Sequence, residues 1–370
     1  MKEEVIVFYC WTYAQLVNMV NLKLNQYDWK KGYLYIADGE NIERYKAFLQ
    51  RLEENSIFEV IRQFDYSGQS SCKGVVARKK YREQIVLDYF LKDFALSNQI
   101  DFVCAGYWVD SLMILRMLNK MNGNIHVHLI EEGVDLANGK ALYMNLSLQK
   151  RIEYGGFFYK KYERLIEDYY VYFLRKSCKN YPLAMKFLPR ICNDNPVKGL
   201  LQCVKLLDSV HETYKGRVVY FDSNCKNENL TDNLWIYKEI FEQCDKLINN
   251  KKVLVRCHPS NKARMEAFKR LNEIEICNDG VTTEALLVSD INWNKNVICV
   301  INSSIALNAK MIYGYEPYLV VLYKLLKQEK LEGIDELLDS YSDKRKIIVP
   351  TTMNNLKQTL ESWTKNGKMV

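Results

Sequence analysis

The order of apolar and amphipathic segments predicts an α/β protein of two Rossmann-like domains facing each other across a cleft. Three observations carry this. Short apolar runs alternate with helix-like segments through roughly the first 150 residues. The stretch from about 150 to 210 is tyrosine-rich and basic, and a second alternating series then begins. Strands separated by helices at this spacing imply parallel sheets with helices on both faces.

The first series opens with the strand "VIVFYC" (5–10) and the helical stretch "AQLVNMVNLKL". "GYLYIAD" (32–38) and the helix "NIERYKAFLQRLEEN" follow, then "IFEVIRQF" (57–64) and an amphipathic helix over about 78–97. "IDFVCAGYW" (100–108), the helix "SLMILRMLNKM" and the strand "NIHVHLIEEG" (124–133) complete it. The second series runs "RVVYFDSN" (217–224), "LWIYKEIFEQCDKLI", "KVLVRCHP", a short helix, "EIEICND" (273–279) and "NVICVINSS" (296–304). The helix "IALNAKMIYG", the strand "EPYLVVLY" and a last helix over about 352–366 end it. The expected domains are therefore a first Rossmann-like domain at 1–150, a helical connector or membrane-facing segment at 151–212, and a second Rossmann-like domain at 213–345. The helix in 346–370 is free to cross back to the first domain.

Bulk properties narrow the function classes. A chain of 370 residues with 48% hydrophobic and 26% charged residues can bury two cores. Its eleven cysteines are odd in number, scattered, and form no CxxC, which suits reduced thiols in the cytoplasm. Two acids precede the first apolar run, unlike the basic start of a secretory signal, and no run has the length of a membrane span. A net charge of +7 suits an anionic substrate or membrane surface. Nucleic acid is not expected, because Glu163, Glu167 and Asp168 interrupt the basic stretch 157–181. The aromatic and basic residues of that stretch suit either an anionic membrane surface or a helix hairpin packed between the domains.

The sequence has no GxGxxG, no GxxxxGK[ST], no HExxH and no Asp-x-Asp. His126 and His128 alternate with Val127, so they share one face of a strand and suit packing or solvation better than a metal. No metal or other cofactor is expected.

Three strand ends carry unusual chemistry. In "KKVLVRCHPS" (251–260) a buried strand stops at His258 and Pro259, and carboxyl ends of strands are where open α/β sheets bind ligands. In "HLIEEGVD" (128–135) Glu131, Glu132 and Gly133 follow a strand. Adjacent carboxylates raise each other's proton affinity, which favours a base; the pair also reads as a helix-start or solvated turn. In "VICVINSSIALNAK" Ser303 and Ser304 precede a helix, where hydroxyls and first amides either cradle a phosphate or simply cap.

These motifs, in this order, resemble those of bacterial sialyltransferases: two acids before a glycine, a His-Pro pair and a serine pair. The opening "VFYCWTYAQLVNMVNL", with Thr12 and Gln15 after a short strand, is similar to the start of lipooligosaccharide sialyltransferases. The resemblance implies a GT-B fold and metal-independent, inverting transfer from CMP-sialic acid to a glycan hydroxyl. The acceptor would be lipooligosaccharide, capsule or oligosialic acid, which can be lipid-linked. Glu132 or Glu131 would be the base, His258 would act on the departing phosphate, and Ser303 and Ser304 would hold it. Glu284 in "DGVTTEALL" would bind the ribose, with Pro259 beside the nucleotide, while Thr12, Gln15 and Gly133 would line the acceptor side. A helix-start glutamate in solvent is the plain alternative for Glu284. The expected location is the cytoplasm, at the inner face of the membrane. The nearest rival keeps the fold but transfers glycerol or ribitol phosphate from a CDP-linked donor. A non-catalytic sugar-binding protein is the rival from another class.

Overall fold

The computed structural model describes residues 4–37, 45–93, 99–105, 109–131, 164–174, 184–192, 194–202, 212–223, 230–247, 252–258, 262–277, 279–289, 291–330 and 333–365. The chain divides into two compact units, Met1–Cys203 and Val204–Val370.

In the first unit β1 (Glu4–Cys10), α1 (Tyr13–Gln26), β2 (Lys31–Ile36), α2 (Lys46–Glu54), β3 (Val60–Gln63) and α3 (Val75–Asp93) come first. They are followed by β4 (Gln99–Cys104), α4 (Val109–Met121), β5 (Ile125–Ile130), β6 (Ile166–Val171), β7 (Ala184–Phe187) and α5 (Pro196–Gln202). The strands form one sheet in the order β3-β2-β1-β4-β5-β6-β7, and every pairing is parallel. A sheet covered on both faces needs apolar residues at successive positions, and Val5 through Phe8 are all fully buried. Helix α1 starts sharply because Thr12 and Gln15 form a capping box.

The second unit holds β8 (Val218–Phe221), α6 (Leu230–Leu247), β9 (Val253–Arg256), α7 (Lys262–Phe268), β10 (Ile274–Ile276) and α8 (Thr283–Val288). It continues with β11 (Val297–Val300), α9 (Ile305–Met311), β12 (Tyr318–Val321), α10 (Ile334–Ser340), β13 (Ile347–Ile348) and α11 (Met353–Lys365). Its parallel sheet has the order β10-β9-β8-β11-β12-β13. An aromatic cluster of Tyr220, Tyr237, Phe241 and Phe268 joins strand β8 to α6 and the end of α7.

Both units are thus doubly wound α/β Rossmann-like folds, as expected. In each the strand order reverses at one place, between β1 and β4 and between β8 and β11. Ligands of open α/β sheets bind outside the carboxyl ends of the strands at such a switch point.

Two expectations need correcting. The stretch taken as a helical connector supplies strands β6 and β7 to the first sheet. Its tyrosines Tyr169, Tyr170 and Tyr172 are buried, so they do not form an exposed aromatic face for a membrane. Of the acids in this stretch, Asp168 is answered inside the fold, where it pairs with His128 and Lys186, while Glu167 stays exposed. The last helix, α11, packs on α6 of its own unit, and its Trp363 lies against Tyr318 and donates to the Arg345 carbonyl at 2.6 Å. Among the described residues no helix is long and apolar enough to cross a membrane.

Candidate functional site

The second sheet gathers polar side chains where its strands end. Strand β8 runs into Asp222 and Ser223, β9 into Cys257 and His258, and β11 through Asn302 into Ser303 and Ser304. Because β9 and β11 both pair with β8, His258 and the serine pair flank the same strand end, with the serines at the switch point. Strand β10 leads through a turn to Thr282, whose hydroxyl caps α8, and to Glu284 in the first turn of that helix.

The geometry gives each group a distinct character. His258 is half-buried; desolvation lowers its pKa, and the Asp222 carboxylate opposes this only in part, so the ring is neutral at pH 7. Burial lifts the Glu284 carboxyl above its ordinary range, against its own amide and the charge of Arg256. Ser304 is the first residue of the turn into α9, and its hydroxyl does not cap the helix. Ser303 Oγ accepts only a long 3.5 Å bond from the Ile305 amide. Hydroxyls and amides at the start of a helix are suited to an anion.

Beneath these groups are two ion pairs whose roles the sequence did not reveal. Asp222 accepts from Arg264 Nε and Nη2 at 2.7–3.1 Å, and both residues are buried. Arg256 reaches from the end of β9 to Asp279 at 2.8 and 3.0 Å and to the Val281 carbonyl at 2.5 Å. Tyr214 donates to the same carboxylate at 2.6 Å.

In the first unit the expected residues have structural partners. Gln15 Oε1 accepts from the Trp11 amide at 2.6 Å, and Thr12 Oγ1 accepts from the Gln15 amide at 3.2 Å, so this pair starts α1. Glu131 is buried; its Oε2 accepts from the Tyr172 amide at 2.8 Å, and its carbonyl accepts from Asn18 Nδ2 at 2.7 Å. Glu132, Gly133 and Pro259 lie outside the described residues.

His126 and His128 do share a face. His126 pairs with Glu167, and His128 sits between Asp168 at 2.8 Å and Asp101 at 3.5 Å. Burial works against the imidazolium, but the two carboxylates outweigh it and push the His128 pKa up to about 9. Ligand atoms of His128, Glu167 and Asp168 lie within 4.8 Å of one another, the spacing of a metal site. Lys30 on Asp101 and Lys186 on Asp168 already supply cations there, so the chain neutralises the cluster with its own side chains.

No family model matches the sequence, and no curated protein matches it. Solved structures do match along the whole chain. The UDP-N-acetylglucosamine 2-epimerase from Rickettsia bellii superposes with a TM-score of 0.57 at 11% identity, over 99% of this chain and 88% of that one. The Neisseria meningitidis UDP-GlcNAc 2-epimerase bound to UDP-GlcNAc gives 0.55 at 11% identity, over 99% and 92%. S. aureus MnaA in complex with UDP gives 0.56 at 12% identity, over 100% and 90%. At such identities the likeness establishes the fold, which is of the GT-B-like, two-Rossmann-domain kind.

The comparisons correct the expected function. The Rickettsia bellii and Neisseria meningitidis neighbours are UDP-GlcNAc 2-epimerases, and the neighbours with a ligand named hold UDP or UDP-GlcNAc. They are not sialyltransferases, so the CMP-sialic acid donor, the transfer reaction and the assignment as a sialyltransferase are withdrawn. The CDP-polyol alternative gains no support either. Three short motifs were a poor guide because each marks a strand end of the shared fold, and the carboxyl ends of strands serve many unrelated chemistries.

Proposed function

We propose that the chain is a nucleotide-sugar enzyme that binds a UDP-linked sugar and changes the configuration at one sugar carbon. The observation that carries this reading is the full-length likeness to UDP-GlcNAc 2-epimerases. The carboxyl edge of the second sheet would hold the nucleotide. Ser303 and Ser304 would donate to the phosphates through hydroxyls and backbone amides, and neutral His258 would donate a ring N–H. Glu284 would accept from the ribose hydroxyls. An anion held by neutral donors and a helix start needs no bound cation, so the reading includes metal independence.

Epimerisation next to the anomeric carbon breaks a C–H bond on one face of the sugar and re-forms it on the other. No carbonyl acidifies that C–H, so its electron pair would form a C1–C2 double bond as the C1–O bond to UDP breaks, and proton and UDP would then add back. The reaction therefore needs a base on one side, a proton donor on the opposite side, and a nucleotide anchor that keeps the sugar in place. Glu132 is the base in this reading, since the Glu131 carboxylate already serves the Tyr172 amide. The eight described cysteines are all free thiols, which suits the cytoplasmic location included in this reading.

The test is to incubate the protein with UDP-GlcNAc and EDTA and follow the sugar ring protons by NMR in D2O. The reading expects a new C2 epimer with deuterium incorporated at the inverted carbon, lost in Glu132→Gln. Unchanged substrate, with no exchange at any ring carbon, contradicts the reaction.

A further inference from the structure

The turn between β10 and α8 is held by one set of bonds centred on Asp279. Its carboxylate accepts from Arg256 Nη1 at 2.8 and 3.0 Å, from Tyr214 Oη at 2.6 Å, from the Val281 amide at 3.0 Å and from Cys277 Sγ at 3.1 Å. Arg256 also donates to Tyr214 Oη and, through Nη2, to the Val281 carbonyl at 2.5 Å. Tyr214 is fully buried, its carbonyl accepts from Asn296 Nδ2 at 2.6 Å, and its ring packs on Trp293. The Arg256 and Asp279 side chains are only 14% and 17% exposed, so the pair acts across a medium that screens it little.

This set is more than a way to close a loop. Arg256 is the last residue of β9, two positions before His258. The segment it grips, Asp279 to Val281, ends one residue before Thr282, the cap of α8, and three before Glu284. Gly280 sits between the two gripped residues at φ 70°, a left-handed conformation that a side chain would strain. One guanidinium thus ties the strand end that carries His258 to the turn that carries Glu284. The planar guanidinium reaches both at once, Nη1 on the Asp279 carboxylate and Nη2 on the Val281 carbonyl, as a flexible ammonium cannot.

We propose that Arg256, with Asp279 and Tyr214, is the positioning element of the nucleotide site and sets Glu284 against the ribose. This rests on the reading of the second unit as the nucleotide-binding half. Arg256 is a positioning residue, acting through Glu284 and not on the phosphate. Charge works in the same direction, because Arg256 opposes the desolvation that would protonate Glu284. Burial likewise disfavours the Asp279 carboxylate, and Arg256 and Tyr214 reverse that and keep it ionised.

The experiment measures affinities for UDP and for 2′,3′-dideoxy-UDP by calorimetry in the wild-type chain and in Arg256→Lys, Asp279→Asn, Tyr214→Phe and Glu284→Gln. Hydrogen bonds to a carboxylate should make the wild-type chain prefer UDP by about tenfold, and Glu284→Gln should remove that preference. Arg256→Lys and Asp279→Asn should cut it to about twofold while dideoxy-UDP binding stays within about twofold of wild type. Tyr214→Phe, the mildest change, should retain about a threefold preference, which keeps the test available if the other two variants do not fold. An undiminished preference in these variants overturns the positioning role, as does an equal loss of both affinities, which would mark a purely structural bracket. A wild-type chain that binds both nucleotides equally overturns the role of Glu284, and this inference with it, while leaving UDP as the ligand. A wild-type chain that binds neither overturns the nucleotide reading itself.

Discussion

The two units bury the same kinds of charged side chain at different heights along their strands. In the first unit Asp101, His128 and Asp168 lie on the adjacent strands β4, β5 and β6, with Lys30 entering ahead of β2 and Lys186 on β7. Each charge there is answered by a neighbour, and the network stitches strands to one another. In the second unit Asp222 follows β8 and Arg256 ends β9, so the pairs Asp222–Arg264 and Arg256–Asp279 brace the loops that leave the sheet. Position along the strand, not residue type, separates a network that holds a sheet together from one that braces the loops at its carboxyl edge. Four measurements break or sharpen this contrast.

The largest effect is expected at Asp222. Asp222→Ala strands the buried Arg264 guanidinium without its bidentate partner and should cost about 3–5 kcal/mol in a urea unfolding curve. A loss below about 1 kcal/mol would mean that water reaches Arg264, and the brace would be discounted.

His128 gives the next effect and a pH signature. Its folded-state pKa of about 9 lies above the ordinary value of 6.5. Its contribution is therefore complete below about pH 6.5 and is lost as pH rises through about 9. Of order 3 kcal/mol should disappear from the unfolding free energy across that window, and His128→Gln should flatten the profile there. A wild-type profile as flat as that of the variant would show that the first network is not held by an imidazolium.

The serine pair should weigh less. Replacing both Ser303 and Ser304 with Ala leaves the helix amides in place and should weaken UDP binding about tenfold, with little change in unfolding free energy. A change confined to stability would move the pair from the binding edge to plain structure. The smallest effect belongs to Thr12→Ala, which loses one side of the α1 capping box and should cost about 1 kcal/mol by thermal unfolding. No loss at all would show that Gln15 alone starts the helix.

Much of the architecture was legible because fully buried parallel strands leave continuous apolar runs. "VIVFYC" and "VICVIN" could hardly be anything else, and the helices between them fix the parallel topology. Strands β6 and β7 were not legible. Asp168, between the exposed Glu167 and a run of tyrosines, looks like solvated surface until His128 is known to face it across the sheet. Strand β13, two residues long, has no periodicity to read. The site was legible in part. His258, Ser303 and Ser304 stand at strand ends because Pro259 and the start of α9 mark those ends in the sequence. Arg256 was visible inside "KKVLVRCHPS", but its partner is 23 residues away in another turn, and only the fold brings them together. The nucleotide proposed for the second unit was not legible, since serines between a strand end and a helix start read the same for CMP and UDP.

The measurement closest to the central claim is calorimetric titration of the chain with UDP and, separately, with CMP. The account predicts saturable binding of UDP that tolerates EDTA, is tighter than that of CMP, and is weakened about tenfold in His258→Ala. Tighter binding of CMP, or UDP binding unaffected by His258→Ala and the serine pair, would contradict a uridine nucleotide site at the carboxyl edge of the second sheet.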